Sequence, residues 1–540
     1  MKSKFILFLS FLLFCRTPSP AQGSLTRLWE NSHNGTLTGL DHANAIVVTS
    51  NGDVYVTGQS FQNSTTGSIT TVKYDAAGNM VWTDNYKGVI VTAMNEGIDL
   101  CLDPFGNVIV TGDVAFNDGD FCIMKFNSAG RVWAKSKEPY WFNSSYDYAR
   151  QVETDAAGNI YTVAMITSLS GNLYDLYTLK CDSAGNDIWS VDYSSASGDD
   201  YAQGLAVTDN GHCFSLTGSF NFFGSATYDM QTLHYDSSGA QQWISNYNCQ
   251  SSQSEDFPID IKCDNNYNTW VCGAADTGTT TSMVAFKQNQ YGTRLWTVNY
   301  NGNANGNDSA IAISSLPNNL TAVCGRTKEL INGLSRDVIT TMVIDSGTVL
   351  WMMQYAGDST GAVPTAMTTD ADGNIYITGY ISTIGSGKNA VLLVYDITGN
   401  LIYADEYAGS YFGDDIFTDV YVDALRYIYV TGSASSAAGN NDYITIKYAM
   451  PGISSLPEKK EQHALRIYPN PNHGRFQLLV DGKAVDKGEL FIYDAQGHLA
   501  HSSKINSNHD TYSGGELPSG LYLLRYSDNT IEYTGKIMVY

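Results

Sequence analysis

The chain has little charge and fewer bases than acids. Only 16% of its 540 residues are Asp, Glu, Lys or Arg, below the usual quarter, and acids outnumber bases 54 to 30. A net charge of −24 argues against nucleic acid as a partner, because phosphate binding needs clustered Lys and Arg. Cations, sugars and basic surfaces remain compatible. Long apolar runs are also lacking. Phe5 to Phe14, broken by Ser10, is too short for a bilayer, which takes roughly 20 residues. With Lys2 and Lys4 before it, the run reads as a signal peptide over residues 1–22. Cys15 offers a lipoprotein alternative, but Phe14 fits a lipobox poorly. No transmembrane segment is expected in the mature chain.

Paired metal ligands and catalytic sets are missing too. Spacings of the CxxC type are absent, which argues against zinc. Eight cysteines follow Cys15, and an even number in an exported chain invites disulfides. However, Cys101, Cys122, Cys181, Cys263, Cys272 and Cys324 lie inside strand-like runs, where other copies of a repeat carry Val, Thr or Tyr. They read mainly as small buried hydrophobes, and no bridge is assigned. His33, His42, His212 and His234 stand alone in sequence, at neither ligand nor triad spacing. No catalytic residue is assigned.

What is abundant is Gly (50), Tyr (36) and a phrase that recurs. It reads GDVYVTG at 52–58, GNVIVTG at 106–112, GNIYTVA at 158–164 and GNIYITG at 373–379. With the degenerate copies, the ends fall at 58, 112, 164, 218, 273, 325, 379 and 432. Each unit resolves into four short alternating strands joined by D-x-x-G turns, such as Asp155 to Asn159 and Asp182 to Gly185. The turn Asp bonds back to amides and the Gly takes a positive φ. An EF-hand calcium loop needs a denser ladder of oxygens and a closing Glu. Four-stranded units repeated radially make a propeller, with a stacked solenoid as the rival.

The chain ends of this region choose between them. Fourth-strand aromatics occur at Trp82, Trp133, Trp189, Trp243, Trp296, Trp351 and Tyr403, seven for eight units. The eighth unit stops at Tyr448 with no fourth strand. Arg27-Leu28-Trp29 matches Arg294-Leu295-Trp296, and Trp29 lies one period before Trp82. Residues 25–29 are therefore expected to complete the last blade and close an eight-bladed ring over residues 24–448, a device that removes free sheet edges. These repeats resemble bacterial secreted β-propeller repeats of the form D-x-x-G-N-x-Y-V-x-G, most strongly at Asp103 to Gly112 and Asp370 to Gly379. The resemblance implies a propeller outside the cell and no particular reaction.

Residues 449–464, with Pro451, Pro457 and Glu458 to Glu461, read as a linker. From Leu465 a different β-pattern begins and forms a small β-sandwich. It carries Pro469-Asn470-Pro471, Gly474, Gly520, Tyr522 and Lys536 before an apolar end. This resembles closely the type A C-terminal sorting domain of the type IX secretion system of Bacteroidetes. The resemblance implies passage over the outer membrane, with that secretion machinery as a partner and the protein released or held at the cell surface.

In a propeller the D-x-x-G turns share one face, and the variable loops and blade-to-blade connections share the other. Two features of that loop face stand out. One is an acidic series before successive first strands: Glu96, Asp147, Asp199-Asp200, Glu255-Asp256, Asp308 and Asp414-Asp415. Ring closure would gather them near the channel mouth, where Asp200, Asp256, Asp308 and Asp415 are candidate calcium ligands; the alternative is that each serves its own strand entry. The other is aromatic: Tyr140, Trp141, Phe142, Tyr146 and Tyr148 between blades two and three, and Phe220, Phe222, Phe223 and Tyr228 in blade four. These are expected to bind a glycan or protein, unless they pack on neighbouring blades. A noncatalytic, monomeric binding propeller is the leading expectation. The alternatives are a polysaccharide hydrolase or lyase using Asp200 or Asp415, and a structural repeat protein.

Overall fold

The computed structural model describes residues 24–451 and 465–539, apart from short segments in loops and turns. The chain divides into two compact units, residues 1–453 and 454–540. Residues 1–22, expected as a signal peptide, and 452–464 of the expected linker lie outside the described residues.

The first unit is a propeller of eight four-stranded antiparallel sheets. Blades 1 to 7 span residues 42–86, 96–137, 148–193, 200–247, 257–300, 309–355 and 361–407. Blade 8 takes three strands from residues 416–449 and its fourth from Thr26–His33. That strand pairs with the third strand of blade 8, from Thr26 opposite Ala449 to His33 opposite Tyr443. The ring closes from blade 8 to blade 1: Ile46 N donates to Asp419 Oδ2 at 2.9 Å, and Thr418 Oγ1 donates to the Ala43 carbonyl at 2.8 Å.

Burial follows the radial position. Second and third strands are covered on both faces by neighbouring blades, so Val108–Val114 and Asp120–Asn127 are almost wholly buried. Such strands read as continuous apolar runs. Fourth strands lie outermost and alternate, as in Arg294–Tyr300. Every first strand carries a β-bulge, for example between Gly97 and Asp99. The bulge explains the Gly ending the repeated phrase: a Cβ on Gly58 would stand 2.1 Å from the His42 carbonyl oxygen, and one on Gly432 2.0 Å from that of Ile416.

The D-x-x-G motifs are turns throughout. At Asp103, Oδ1 accepts from Phe105 N and Asn107 N, Oδ2 accepts from Asn107 Nδ2, and Gly106 sits at φ +80°. Several fourth-strand Trp residues clip one blade to the next. Trp82, Trp189, Trp243 and Trp351 donate from Nε1 to carbonyls of the following blade's third turn, at 2.9–3.2 Å. Trp29 does the same to Ala76 of blade 1 at 3.3 Å, so the borrowed strand joins blade 8 to blade 1. Leu25 enters the core between blades 7 and 8.

The eight described cysteines are all free, with Cys122, Cys181, Cys213, Cys272 and Cys324 buried in second and third strands or at their ends. The expectation of small buried hydrophobes holds for Cys122, Cys181, Cys272 and Cys324; Cys101 and Cys263, also expected buried, are only partly covered, as is Cys249.

The second unit contains two sheets around Phe476, Leu478, Leu490, Ile492, Leu524 and Ile537. Asn470 Nδ2 donates to the Lys536 carbonyl, and its Oδ1 accepts from Met538 N. The Asn of the opening motif thus staples the closing strand beside Lys536. Gly520 opens the strand that carries Tyr522, whose hydroxyl donates to Pro518 O. Pro469, Pro471 and Gly474 lie outside the described residues.

Candidate functional site

The acidic series does not form a cation ring. Its members Asp147, Asp200, Asp256, Asp308 and Asp415 are clamps at the strand entries of blades 3, 4, 5, 6 and 8, and Asp41 plays the same part in blade 1. Asp308, wholly buried, accepts from Gly302 N in the preceding connection at 2.5 Å and from Lys328 N at the end of the second strand at 2.7 Å. Asp415 does the same with Gly409 and Ser435, Asp256 with Cys249 and Asp276, and Asp41 with Gly35 and Phe61. Asp200 binds Ser195 N and the Ser219 hydroxyl, and Asp147 accepts from Thr167 N. Asp200, Asp256, Asp308 and Asp415, expected as calcium ligands, thus each hold a strand entry, in blades 4, 5, 6 and 8 respectively. Among the described residues, no group of three His, Cys, Asp or Glu is arranged to hold a metal ion.

The channel holds a second set of carboxylates. Asp99, Asp260 and Asp419 share one repeat position just after the bulge. Asp99 accepts from Val152 N of the next blade, Asp260 from Ile313 N and Asp419 from Ile46 N. Glu153 likewise accepts from Val207 N. Burial pushes Asp99 and Glu153 up to about 7 and Asp419 up to about 6. Lys262 stands among them, 3.3 Å from Asp260 Oδ1, and the neighbouring carboxylates, Asp260 foremost, hold its ammonium charged. These groups staple blade to blade.

The loop face presents an aromatic row across blades 3 to 5. Tyr174 opens the third strand of blade 3. Tyr201 and Tyr228 are the second residues of the first and third strands of blade 4, and Phe257 opens blade 5. Their ring centroids step by 6.2, 6.0 and 5.1 Å, at interplanar angles of 35–38°. The three tyrosines are half-buried and Phe257 is 38% exposed. Strand alternation buries Asp200 and Ala202 and leaves Tyr201 between them part-exposed. Asp199 fixes the start of the row, accepting from Tyr174 N at 2.8 Å and from the Tyr201 hydroxyl at 3.0 Å. Burial foremost, then Asp199, raises the Tyr201 phenol, which stays protonated. The far end is fixed where Asp256 N donates to the Tyr228 carbonyl.

A cleft of about 530 Å³ lies on the same face of blade 5, lined by Cys249, Asp276, Thr277, Gly278, Ser282, Asn299 and Asn301. Asp276 Oδ2 accepts from Glu255 N at 3.3 Å, which ties the cleft wall to the end of the row. Its lining is chiefly hydroxyl, amide and carboxylate.

Of the residues expected from sequence, Tyr228 joins this row. Tyr140, Trp141, Phe142, Tyr146, Phe222 and Phe223 lie outside the described residues. Tyr174, Tyr201 and Phe257 were not expected, because they belong to three blades and no periodicity links them.

One further pair was hidden in sequence. In blades 1 and 2 a third-strand Lys meets the first-turn acid, Lys73 with Asp53 at 2.8 Å and Lys125 with Asp103 at 2.9 Å. Blade 4 has His234 there, 3.0 Å from His212 and stacked on Phe214. Burial, and secondarily His212, lowers His234 to about 4. The folded state thus favours the neutral ring. This contribution is complete above pH 6.5 and is lost as pH falls from 6.5 towards 4, by up to about 3 kcal/mol. His234→Phe should flatten the fall in melting midpoint over that window; an unchanged slope would contradict the assignment.

The fold and sites define an all-β propeller with a separate C-terminal β-unit. Residues 466–540 match the family described as the secretion system C-terminal sorting domain. The protein is exported by type IX secretion to the cell surface or the extracellular space. No curated protein matches the chain in sequence. Solved structures that resemble it include Sqt1 from Chaetomium thermophilum, at 10% identity and a TM-score of 0.49, covering 75% of this chain and 95% of that one. A protein of unknown function from Bacteroides caccae is 14% identical with a TM-score of 0.32, covering 55% and 93%. The polysaccharide lyase Uly1 is 11% identical with a TM-score of 0.39, covering 77% and 91%. Propellers serve many unrelated functions, so a fold of this kind assigns none.

Proposed function

We propose that this exported propeller is a noncatalytic glycan-binding protein whose ligand lies along the aromatic row and enters the blade 5 cleft. The observation that carries this reading is the row itself: Tyr174, Tyr201, Tyr228 and Phe257 step by 5.1–6.2 Å on the loop face. A sugar ring has an apolar C–H face that suits the negative face of an aromatic ring, and hydroxyl edges that suit amides and hydroxyls. Row and cleft supply those two surfaces side by side. A few oriented polar groups beside aromatic walls are the usual make-up of a small-ligand site.

Tyr228→Ala should weaken binding of a preferred oligosaccharide about tenfold, a loss of roughly 1.4 kcal/mol, with little change in melting midpoint. Tyr291→Ala serves as the control, since Tyr291 is 71% exposed in a turn of the opposite face. Equal binding by Tyr228→Ala and wild type, or binding confined to a protein array, would overturn the glycan reading.

A further inference from the structure

We infer that the loop-face site selects sugar chains without acidic groups and holds chains bearing free amino groups more tightly than neutral ones. This rests on the glycan reading above and adds the ligand's charge.

Three carboxylates flank the row and cleft. Asp199 lies between Tyr174 and Tyr201, touching both. Glu255 pairs in a bridge with Tyr228 and has an exposed side chain. Asp276 walls the cleft. The charges acting on the Tyr228 phenol are those of Asp199 and Glu255.

Cations are few here, and four of the five have partners elsewhere. Residues 147–300 contain five Lys or Arg: Arg150, Lys180, Lys262, Lys287 and Arg294. Lys180 donates to the Ser237 carbonyl on the turn face, and Lys262 faces Asp260 in the channel. Lys287 sits over Trp270 and Arg294 over Tyr247. Arg150, on the first strand of blade 3, has an exposed side chain, and its charge acts on Asp113 of blade 2.

A uronate or sulfate on a sugar lying along the row would meet the like charge of Asp199, Glu255 and Asp276, which is a strong barrier to recognition. An ammonium group would meet Asp199, Glu255 or Asp276 and the faces of the Tyr rings, both favourable to a cation. The net charge of −24 acts in the same direction at longer range, steering cationic chains towards the protein at low ionic strength.

The test uses the full exported chain and three oligosaccharides of equal length: a glucosamine oligomer, a neutral glucose oligomer and a uronate oligomer, each titrated by calorimetry at low and high salt. The glucosamine oligomer should bind about tenfold more tightly than the neutral one at low salt. The gap should narrow at high salt, and the uronate oligomer should show no binding. Glu255→Gln with Asp199→Asn should reduce the glucosamine-to-glucose affinity ratio about threefold or more, read within the variant so that folding losses cancel. Uronate binding equal to or tighter than neutral binding would overturn the charge assignment while leaving the glycan reading standing. Failure of all three probes to bind, at either salt, would count against the glycan reading and the charge assignment together.

Discussion

A propeller lacking residues 24–33 should melt roughly 5–10 °C below the intact protein and should self-associate. The strand Thr26–His33 supplies the outer edge of blade 8. It carries Leu25 into the core of blades 7 and 8, and Trp29 onto Gly78 of blade 1, with Tyr74 and Tyr429 within about 6 Å. Arg27 adds a pair with Asp405 at 2.9 Å and lies over Tyr407 at 5.1 Å. Losing one buried Leu and one packed Trp costs about 5 kcal/mol. One kcal/mol moves the midpoint of a 150–250-residue domain by about 2–4 °C, and a larger ring by less. The third strand of blade 8, Asn441–Ala449, would be left with an open edge, a template for intermolecular pairing. Calorimetry and light scattering read both effects, and adding the peptide 24–33 in trans should reverse them. An unchanged midpoint would show that the strand is dispensable to the ring.

Asp308→Ala should cost about 2–4 kcal/mol in a chemical denaturation curve. It strands two buried amides, Gly302 N and Lys328 N, each worth about 1–3 kcal/mol when left without an acceptor. Asp308→Asn should also destabilise, by about 1–2 kcal/mol, because one of those amides would face an amide NH₂. The contrast is built into the molecule. Blade 2 has Asn95 at this position, and its Nδ2 faces the Gly67 carbonyl while its Oδ1 accepts from Gly88 N. Asn suits a site with one carbonyl and one amide; Asp suits a site with two amides. Wild-type stability should be the same with calcium or with chelator. A calcium-dependent midpoint would return Asp308 to the role of metal ligand.

The architecture was legible because its signals are local. Trp29 keeps the spacing of the fourth-strand aromatics, and each turn Asp bonds within four residues of itself. The clamps were visible as a repeated acid, but their role was not. Their partners are amides five to seven residues before and amides twenty after, or for Asp200 the Ser219 hydroxyl nineteen after, which carry no mark in sequence. Asn95 was masked by its neighbour Glu96, and Asp41 by lying before the first copy of the phrase. The channel groups Asp99, Glu153, Asp260, Lys262 and Asp419 meet only because the ring closes. His212 and His234 are 22 residues apart and become a pair because hairpin register sets them side by side. The aromatic row follows the same logic, with one member in blade 3, two in blade 4 and one in blade 5.

The most direct measurement of the central claim is hydrogen–deuterium exchange with and without a saturating oligosaccharide. Protection is expected at the loop-face ends of blades 3 to 5, around residues 174–176, 199–203, 227–230 and 255–259, with the turn face unchanged. Protection confined to the turn face, to blades 6 to 8 or to the C-terminal unit would contradict it.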